Sequence, residues 1–305
     1  MTKIQKRFGS LLVLPLLLLS ACGDAKDVTT KVEVPAVKAP ALYQVSDDDT
    51  TIYVMGTVHL LPEDLVWFQN NIQTAFEASD ELVIEMVEPD PQTMQGLVMS
   101  LAVEQSGKTL RSYFDDELKQ EYETRLASLG IPPEALDPFE PWMASVTLSA
   151  MQLQAIGLNP ESGVEKVLSN AANASGKPIS GLETAAQQLG FFDNLSKDAQ
   201  VFMLKSGIED WDEGVDVVQN MIAEWKDGDV EDLSNLMNEA MAEQPELNEV
   251  LLTNRNANWA EWVETRLDTP GTVFMAVGAG HIGGDDGLID LLGDKGIKAT
   301  RVAAE

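Results

Sequence analysis

Apolar residues follow two different patterns along this chain. Near residues 41–45, 51–55, 82–84 and 272–277 they form short β-branched or aromatic runs bounded by turn residues, which is typical of buried strands. Between about 91 and 270 they recur mostly at helical spacing, and prolines interrupt them. The pattern predicts an α/β fold in which both chain ends form a central mixed sheet and a large helical insertion lies between them.

The helical pattern divides into segments at glycine, proline and acidic turns. A proline and two acids at 62–64 favour a helix start, since proline is tolerated in the first turn and acids suit the positive end of the helix dipole. Two further strands are predicted, one within 176–183 and one over 297–302. Helices are predicted over 65–78, 97–103, 115–129, 142–156, 164–174, 184–189, 197–209, 215–226, 246–267 and 288–292. The strand, helix and strand over 51–84 suggest a right-handed βαβ unit with its two strand ends side by side.

The two histidines of the chain stand in similar local sequences. His59 follows Gly56 at the end of one predicted strand, and His281 follows Gly278 at the end of another. Open α/β sheets bind ligands at the carboxyl ends of their strands, so this placement favours one shared site. The alternative is a pair of unrelated histidines in the core.

Two acidic residues occupy the same kind of position. Glu85 directly follows the buried run at 82–84, and Glu183 ends the predicted strand within 176–183. Farther along, Arg255 and Asn256 lie in the long helix predicted over 246–267, four residues or fewer before Trp259. These side chains are the candidates for chemistry beside the histidines.

Charge and cysteine content exclude several classes of protein. The formal net charge is −30, and such a surface repels phosphate backbones, so nucleic-acid binding is disfavoured. The chain contains 1 cysteine, which leaves no disulfide framework and no cysteine-based zinc site. The sequence also lacks an HExxH motif, a Gly-x-Ser-x-Gly nucleophile elbow and a phosphate-binding glycine-rich loop.

The N-terminus has the features of a secretory signal. Basic residues precede an apolar stretch at 11–19 that is too short to span a bilayer as a stable helix. Leu19-Ser20-Ala21-Cys22 resembles a bacterial lipobox, in which the cysteine is lipidated, and Gly23 after it resembles the signal for the outer membrane. We therefore expect a signal peptide over 1–21, a tether over 22–40 and an α/β domain over 41–305, anchored through Cys22 and facing the periplasm. The alternative is a plain signal peptide with a chance cysteine.

Five ordered sequence blocks together resemble the TraB/GumN family, which includes the animal TIKI membrane-anchored metallopeptidases. The blocks are Gly56-Thr57-Val58-His59 with Pro62, Leu82-Val83-Ile84-Glu85, Gly181-Leu182-Glu183-Thr184 with Gln187, Arg255-Asn256 with Trp259, and Val277-Gly278-Ala279-Gly280-His281. The resemblance covers about 42–302. It implies the α/β fold shared with erythromycin-esterase and haem-uptake lipoproteins, and in the TIKI branch the two Gly-x-x-His motifs are implicated in metal-dependent proteolysis. One departure is Glu165, which stands where bacterial members usually have aspartate, so its role is left open.

The candidate residues suit a metal-dependent hydrolase. Two imidazoles and a carboxylate can hold a divalent transition metal such as Mn, Co or Zn, with His59 and His281 as ligands and Glu85 as a third ligand or neighbour. Glu183 would serve as general base. Arg255, with Asn256 beside it, would stabilise an oxyanion or bind a substrate carboxylate.

Each of these roles has a structural alternative. Glu85 and Glu183 could cap the helices that follow their strands, and Arg255 could simply neutralise them in a buried ion network. Asn256 could be a structural hydrogen-bonding residue, while Trp259 favours the core.

The functional hypothesis is a lipid-anchored periplasmic hydrolase that acts on a peptide or protein substrate with the help of a divalent metal. The alternative is a non-catalytic envelope lipoprotein that binds a metal, haem or a polymer end in the same cleft.

Overall fold

A six-stranded mixed sheet organises the molecule, in the strand order β4-β3-β5-β2-β1-β6. The computed structural model describes residues 38–241 and 244–304; the predicted signal peptide, Cys22 and most of the tether lie outside them. The strands are β1 (Leu42–Ser46), β2 (Thr50–Thr57), β3 (Glu81–Met86), β4 (Ile179–Glu183), β5 (Gly271–Gly278) and β6 (Ala299–Arg301). The predicted fold class is confirmed: a mixed sheet contains strands from both ends of the chain, and most of the helices lie between them.

Four neighbouring strands of this sheet run in the same direction. β5 pairs in parallel with both β2 and β3, and β3 pairs in parallel with β4. β1 is antiparallel to β2 and to β6. The carboxyl ends of β2, β3, β4 and β5 therefore meet at one edge, where α/β sheets hold ligands.

The expected adjacency of β2 and β3 is wrong, because β5 lies between them. The strand of the second histidine is apolar from Val273 to Val277 and is buried along that whole length. Such a continuously apolar strand suits a central position covered on both faces. The placement separates the two strands of the predicted βαβ unit and puts the second histidine's strand at the middle of the site edge.

Most of the helices agree with the predicted segments to within a few residues, but the second begins at Pro91 instead of residue 97, and the helix Val230–Met241 has no counterpart among the predicted helices. They are α1 (Asn70–Ala78), α2 (Pro91–Leu101), α3 (Asp116–Ser128), α4 (Pro141–Ala155), α5 (Val164–Ser175), α6 (Ala185–Asp193), α7 (Lys197–Glu209), α8 (Trp211–Asp227), α9 (Val230–Met241), α10 (Pro245–Asn248), α11 (Asn254–Leu267) and α12 (Leu288–Asp294). Short 3-10 turns occupy Leu110–Tyr113, Pro160–Ser162 and Ala279–His281. None of the helices in the described part of the chain is long and apolar enough to cross a membrane.

The first helix begins later than predicted, at Asn70 instead of residue 65. Asn70 has a φ of 53°, in the left-handed region that asparagine tolerates better than most residues. A helix cannot continue through that conformation toward its N-terminus. The preceding loop is held instead by Leu61, which pairs with Asn159, and by the buried Trp67.

Helices cover both faces of the sheet. On β5, Phe274 and Ala276 face one apolar cluster with Phe76 of α1, while Val273 and Met275 face a second cluster with Trp259 of α11. The alternation follows the two-residue period of a strand, so one strand supplies both cores. A third cluster, built by α3, α4 and α7, forms the centre of the helical insertion.

Candidate functional site

A buried arginine joins two of the strand ends at the site edge. Arg255, on α11, donates from Nε to Glu183 Oε1 at 2.8 Å and from Nη2 to Glu183 Oε2 at 2.8 Å. The same Nη2 donates to Glu85 Oε2 at 2.5 Å. The remaining nitrogen, Nη1, donates to the Leu251 carbonyl at 3.1 Å and lies 3.1 Å from His281 Nε2. All three guanidinium nitrogens are therefore engaged, and the ion-network interpretation of Arg255 fits this geometry.

An irregular helical turn positions this arginine. α10 runs directly into a π-helical turn over Glu249–Thr253 and then into α11, with helical backbone at each junction. Single π turns inside a helix are often associated with functional sites. Here the turn contains Leu251, whose carbonyl binds the guanidinium of Arg255.

Aromatic rings hold the arginine from two sides. Its guanidinium carbon lies 4.7 Å from the Trp259 ring centre and 5.4 Å from that of Phe191. Such contacts favour a desolvated guanidinium more than a desolvated ammonium, because the flat cation stacks on the rings. Trp259 is 2% exposed, which confirms the prediction that it belongs to the core.

His281 is a buried, neutral imidazole. Its Nδ1 lies 2.6 Å from Asn256 Oδ1, and its ring centre lies 4.5 Å from that of Trp259. Burial, together with the charge of the neighbouring Arg255, lowers the pKa of His281 to about 3, although Glu85 opposes the shift. Because Arg255 can only donate, Nε2 accepts and Nδ1–H donates to Asn256. The lone pair of His281 is therefore occupied by the guanidinium of Arg255, and the nearest carboxylate oxygen, Glu85 Oε1, lies 3.9 Å from Nε2.

Glu85 is the central carboxylate of the cluster. Burial opposes its ionisation, but the charge of Arg255 and the hydrogen bond from the Gly278 backbone N–H, at 2.6 Å from Oε1, lower the pKa of Glu85 below its ordinary value. Gln188 of α6 donates to Glu85 Oε2 and to Glu183 Oε2, each at 3.0 Å. Glu85 is thus an ionised acceptor at neutral pH.

His59 differs from His281 in being open to solvent. Its side chain is 70% exposed, and Nδ1 lies 2.7 Å from Glu165 Oε1. The hydrogen bond from His59 to Glu165, together with the carboxylate charge, raises the pKa of His59 to about 9. Thr57 donates to the same Glu165 oxygen at 2.5 Å. At neutral pH His59 is therefore a cation paired with Glu165, and its Nε2 has no hydrogen-bond partner among residues 38–241 and 244–304.

Close backbone packing brings Glu165 to the site. Gly163 lies so near the His59 carbonyl that a Cβ at this position would be 2.1 Å from the His59 oxygen. The Val164 N–H then donates to the Val58 carbonyl at 3.0 Å, and α5 begins directly beneath the loop. Glu165 occupies the first turn of α5, where a carboxylate suits the helix dipole. Glu165, to which the sequence analysis assigned no role, therefore contacts His59.

The cluster borders a cleft with two parts, and His59 and Glu85 line both. The larger part has a volume of about 750 Å³, and polar side chains, among them Lys166, Asn170 and Gln188, alternate with apolar ones in its wall. The smaller part has a volume of about 290 Å³ and extends past His281 between α4, α8 and α9. A ligand spanning both parts would pass His59 and Glu85.

The cluster contains the residue types that bind divalent cations in proteins. Arg255 pairs with Glu85 and Glu183, and the protonated His59 pairs with Glu165, so three carboxylates and two cations leave the cluster an excess of negative charge. Within residues 38–241 and 244–304, His59, Glu85 and His281 do not bring their ligand atoms within 4.8 Å of one another, although His281 Nε2 lies 3.9 Å from Glu85 Oε1. Arg255 now covers the His281 lone pair, which leaves His59 as the more accessible imidazole.

The structure brings the predicted residues to one sheet edge and revises several details. The alternative in which Glu85 and Glu183 cap the next helices is wrong, because Asp90 caps α2 and Thr184 caps α6. Asn256 binds His281 and also donates to the Asp286 carbonyl at 2.8 Å, so it links the histidine to the glycine-rich turn.

Sequence reasoning missed two contributors to the site, Thr57 and Gln188. The family block includes Gln187, but that side chain forms a capping box with Thr184. The Thr184-x-x-Gln187 spacing is the sequence signature of such a box and was the available signal that Gln187 is structural. The next residue, Gln188, then faces the carboxylates.

Comparisons with known proteins agree with the sequence blocks. The chain is 24% identical to the uncharacterized protein YbaP of Escherichia coli strain K12 over 83% of this chain and 92% of that one. YbaP of Shigella flexneri is also 24% identical, over 79% of this chain and 87% of its own length. An uncharacterized protein of Treponema pallidum strain Nichols is 22% identical over 92% of this chain and 88% of that one. No solved structure matches the chain significantly.

The family comparison covers nearly all of the described fold. The model of the TraB/PrgY/gumN family matches residues 41–301, which include every strand of the sheet and every residue of the charged cluster. The names of the relatives record no activity, so the match establishes kinship and not chemistry. This chain belongs to the TraB/PrgY/gumN family.

Proposed function

We propose that the chain is a divalent-metal-dependent hydrolase that cleaves amide bonds in a peptide or protein substrate. The observation that carries the proposal is the convergence of His59, Glu85, Glu165 and His281 on a cleft at the carboxyl edge of the sheet. His59 and Glu85 would hold the metal, with His281 completing the set. A metal such as Mn, Co or Zn would supply an acidified water and polarise the substrate carbonyl.

The residues around the ligands would divide into two roles. Glu165 has an oxygen beside His59 at the open side of the cleft, and we assign it proton transfer from the attacking water to the leaving amine. Glu183 has both oxygens bound by Arg255 and Gln188, so we assign it a positioning role in place of the predicted general base. Arg255 and Asn256 would hold Glu85 and His281 in place.

Metal binding is expected to grow stronger with pH. Because the pKa of His59 is raised to about 9, a metal must displace a proton from this imidazole at neutral pH. The apparent affinity for Mn²⁺ should therefore rise by up to about tenfold per pH unit from pH 6 to pH 8, with about one proton released on binding. Calorimetry with Mn²⁺, Co²⁺ and Zn²⁺ added separately to chelator-treated protein, in buffers of different ionisation enthalpy, measures both quantities.

A matched variant separates this site from a surface group. Among the described residues, Glu224, Asp229 and Asp232 bring carboxylate oxygens within 4.8 Å of one another. Asp229→Asn should leave the strong, pH-dependent binding unchanged, whereas Glu85→Gln should weaken it by about 100-fold. A peptide library analysed by mass spectrometry, with and without metal, tests cleavage. Metal binding without cleavage of any peptide would favour the binding-lipoprotein alternative, and absence of binding at micromolar metal would overturn the metal site.

We also propose that Cys22 is lipidated and anchors the protein to the outer membrane, facing the periplasm. The structure describes residues from 38 onward, so the support comes from the sequence alone, in which Leu19-Ser20-Ala21-Cys22 is followed by Gly23. The Cys22→Ser variant should lose labelling by radioactive palmitate and move from the membrane fraction to the soluble periplasmic fraction, because the acyl chains provide the attachment. A variant that is still sedimented with membranes and labelled as before would contradict the anchor.

A further inference from the structure

The smaller part of the cleft has an almost entirely apolar wall. Side chains of Leu153 on α4, Val218, Met221 and Ile222 on α8, and Met237 on α9 line it. These side chains are only half-buried, and part of the surface they leave open faces the cavity. Apolar surface that lines a cavity instead of packing against protein is a common feature of ligand sites.

The polar groups that line this cavity, Thr57, His59, Glu85, Arg255 and His281, belong to the charged cluster, which makes the apolar wall continuous with the candidate site. Gly280 packs against the Met237 side chain, and a Cβ on this glycine would lie 2.0 Å from the methionine sulfur. Gly280, the residue before His281, therefore allows the Met237 side chain of α9 to pack against the wall of the cavity.

The volume limits what can enter. At about 290 Å³, the cavity falls just below the roughly 300–1,000 Å³ of pockets that hold whole small-molecule ligands. It suits a single large side chain. The adjoining larger cavity, with Lys166, Asn170 and Gln188 in its wall, has the room and the hydrogen-bonding groups for the polar remainder of a peptide.

We infer that the smaller cavity is a specificity subsite that takes a large apolar side chain, such as leucine or phenylalanine, next to the scissile amide bond. The inference rests on the proposed function and adds the substrate class to it. An apolar side chain in this cavity would place the neighbouring amide beside His59 and Glu85, which line both parts of the cleft. Charged side chains are disfavoured there, because their desolvation would not be compensated by the apolar wall.

Two adjacent valines on α8 give a matched test. Val218 lines the cavity, while Val217 is 37% exposed and is not among the lining residues. Val218→Trp should fill the subsite, and Val217→Trp adds the same side chain outside it. Circular dichroism and thermal denaturation of both variants establish that they fold.

Binding is measured first, without any need for turnover. Acetylated tetrapeptide amides that differ only in one residue, alanine, leucine or phenylalanine, are titrated into the wild-type chain and followed by ligand-observed NMR. We expect leucine and phenylalanine peptides to bind about tenfold or more tightly than the alanine peptide, since each added methylene in an apolar pocket contributes substantially to discrimination. The preference should disappear in Val218→Trp and persist in Val217→Trp.

Cleavage of the same peptides distinguishes the inference from the function on which it rests. Preferential binding without cleavage would support the subsite and count against the hydrolase. Cleavage with the same kcat/KM for alanine and phenylalanine peptides would support the hydrolase and overturn the subsite. A preference that survives unchanged in Val218→Trp would also overturn the subsite.

Discussion

Replacing Arg255 with methionine is expected to lower the free energy of unfolding by about 3–5 kcal/mol at pH 7. Arg255 is 9% exposed and neutralises Glu85 and Glu183, which are themselves buried. Methionine retains much of the packing against Trp259 but leaves two carboxylates without a cation in a region that water reaches poorly. Breaking a buried ion pair from one side costs more than the pair contributes, because the remaining charge stays desolvated.

The pH dependence of this loss gives the prediction its sign. In the wild-type chain the pKa of Glu85 is lowered, so Glu85 stabilises the fold above its ordinary pKa and that stabilisation is lost as the pH falls through the folded-state value. Without Arg255, burial would instead raise the pKa of this carboxyl group, and the folded state would take up a proton more readily than the unfolded chain. The difference between Arg255→Met and wild type should therefore shrink between pH 7 and pH 5, as measured by urea denaturation.

A second arginine provides the control for this experiment. Arg266 pairs with Glu81, whose side chain is 28% exposed, and Arg266→Met should cost about 1 kcal/mol or less with little dependence on pH. An Arg255→Met variant that stays within about 1 kcal/mol of wild type at pH 7 would show that the cluster is solvated, contrary to the burial described here.

The sequence predicted the components of the site better than their contacts. The strands that end at or within one residue of Gly56, Glu85, Glu183 and Gly278 are visible in the sequence, because a strand's burial pattern is local. The common edge followed from the parallel direction expected of an α/β sheet. The position of β5 between β2 and β3 could not be predicted in this way, since strand order depends on pairings between distant segments.

The contacts that define the two histidines are also non-local. Glu165 reaches His59 because Gly163 lets α5 approach the loop, and Arg255 covers His281 after a π-helical turn that has no periodic signature in the sequence. The two Gly-x-x-His motifs therefore contain one exposed, protonated imidazole and one buried, neutral imidazole. Their local resemblance predicted a shared location and did not predict this difference in charge and access.

Because the two histidines differ in burial, the two alanine variants should differ in how much they destabilise the fold. His281→Ala should lower the free energy of unfolding by about 2–4 kcal/mol, because it removes a buried ring against Trp259 and leaves the Asn256 oxygen without its donor. His59→Ala should change stability by about 1 kcal/mol or less, since its side chain is 70% exposed. The small contribution of His59 should be fully present below pH 6.5 and lost as the pH rises toward 9.

In His59→Ala and His281→Ala, the loss of metal binding and hydrolysis should not parallel the loss of folding stability. Both variants should lose about 100-fold or more in Mn²⁺ affinity and in peptide hydrolysis, but only His281→Ala should unfold at lower urea concentration. The two losses have different origins, because His59 would contact the metal from the open side of the cleft, whereas His281 also holds Asn256 and Arg255 in place. Equal destabilisation by both substitutions would contradict the asymmetry. Wild-type Mn²⁺ affinity in a folded His59→Ala variant would instead remove His59 from the metal site.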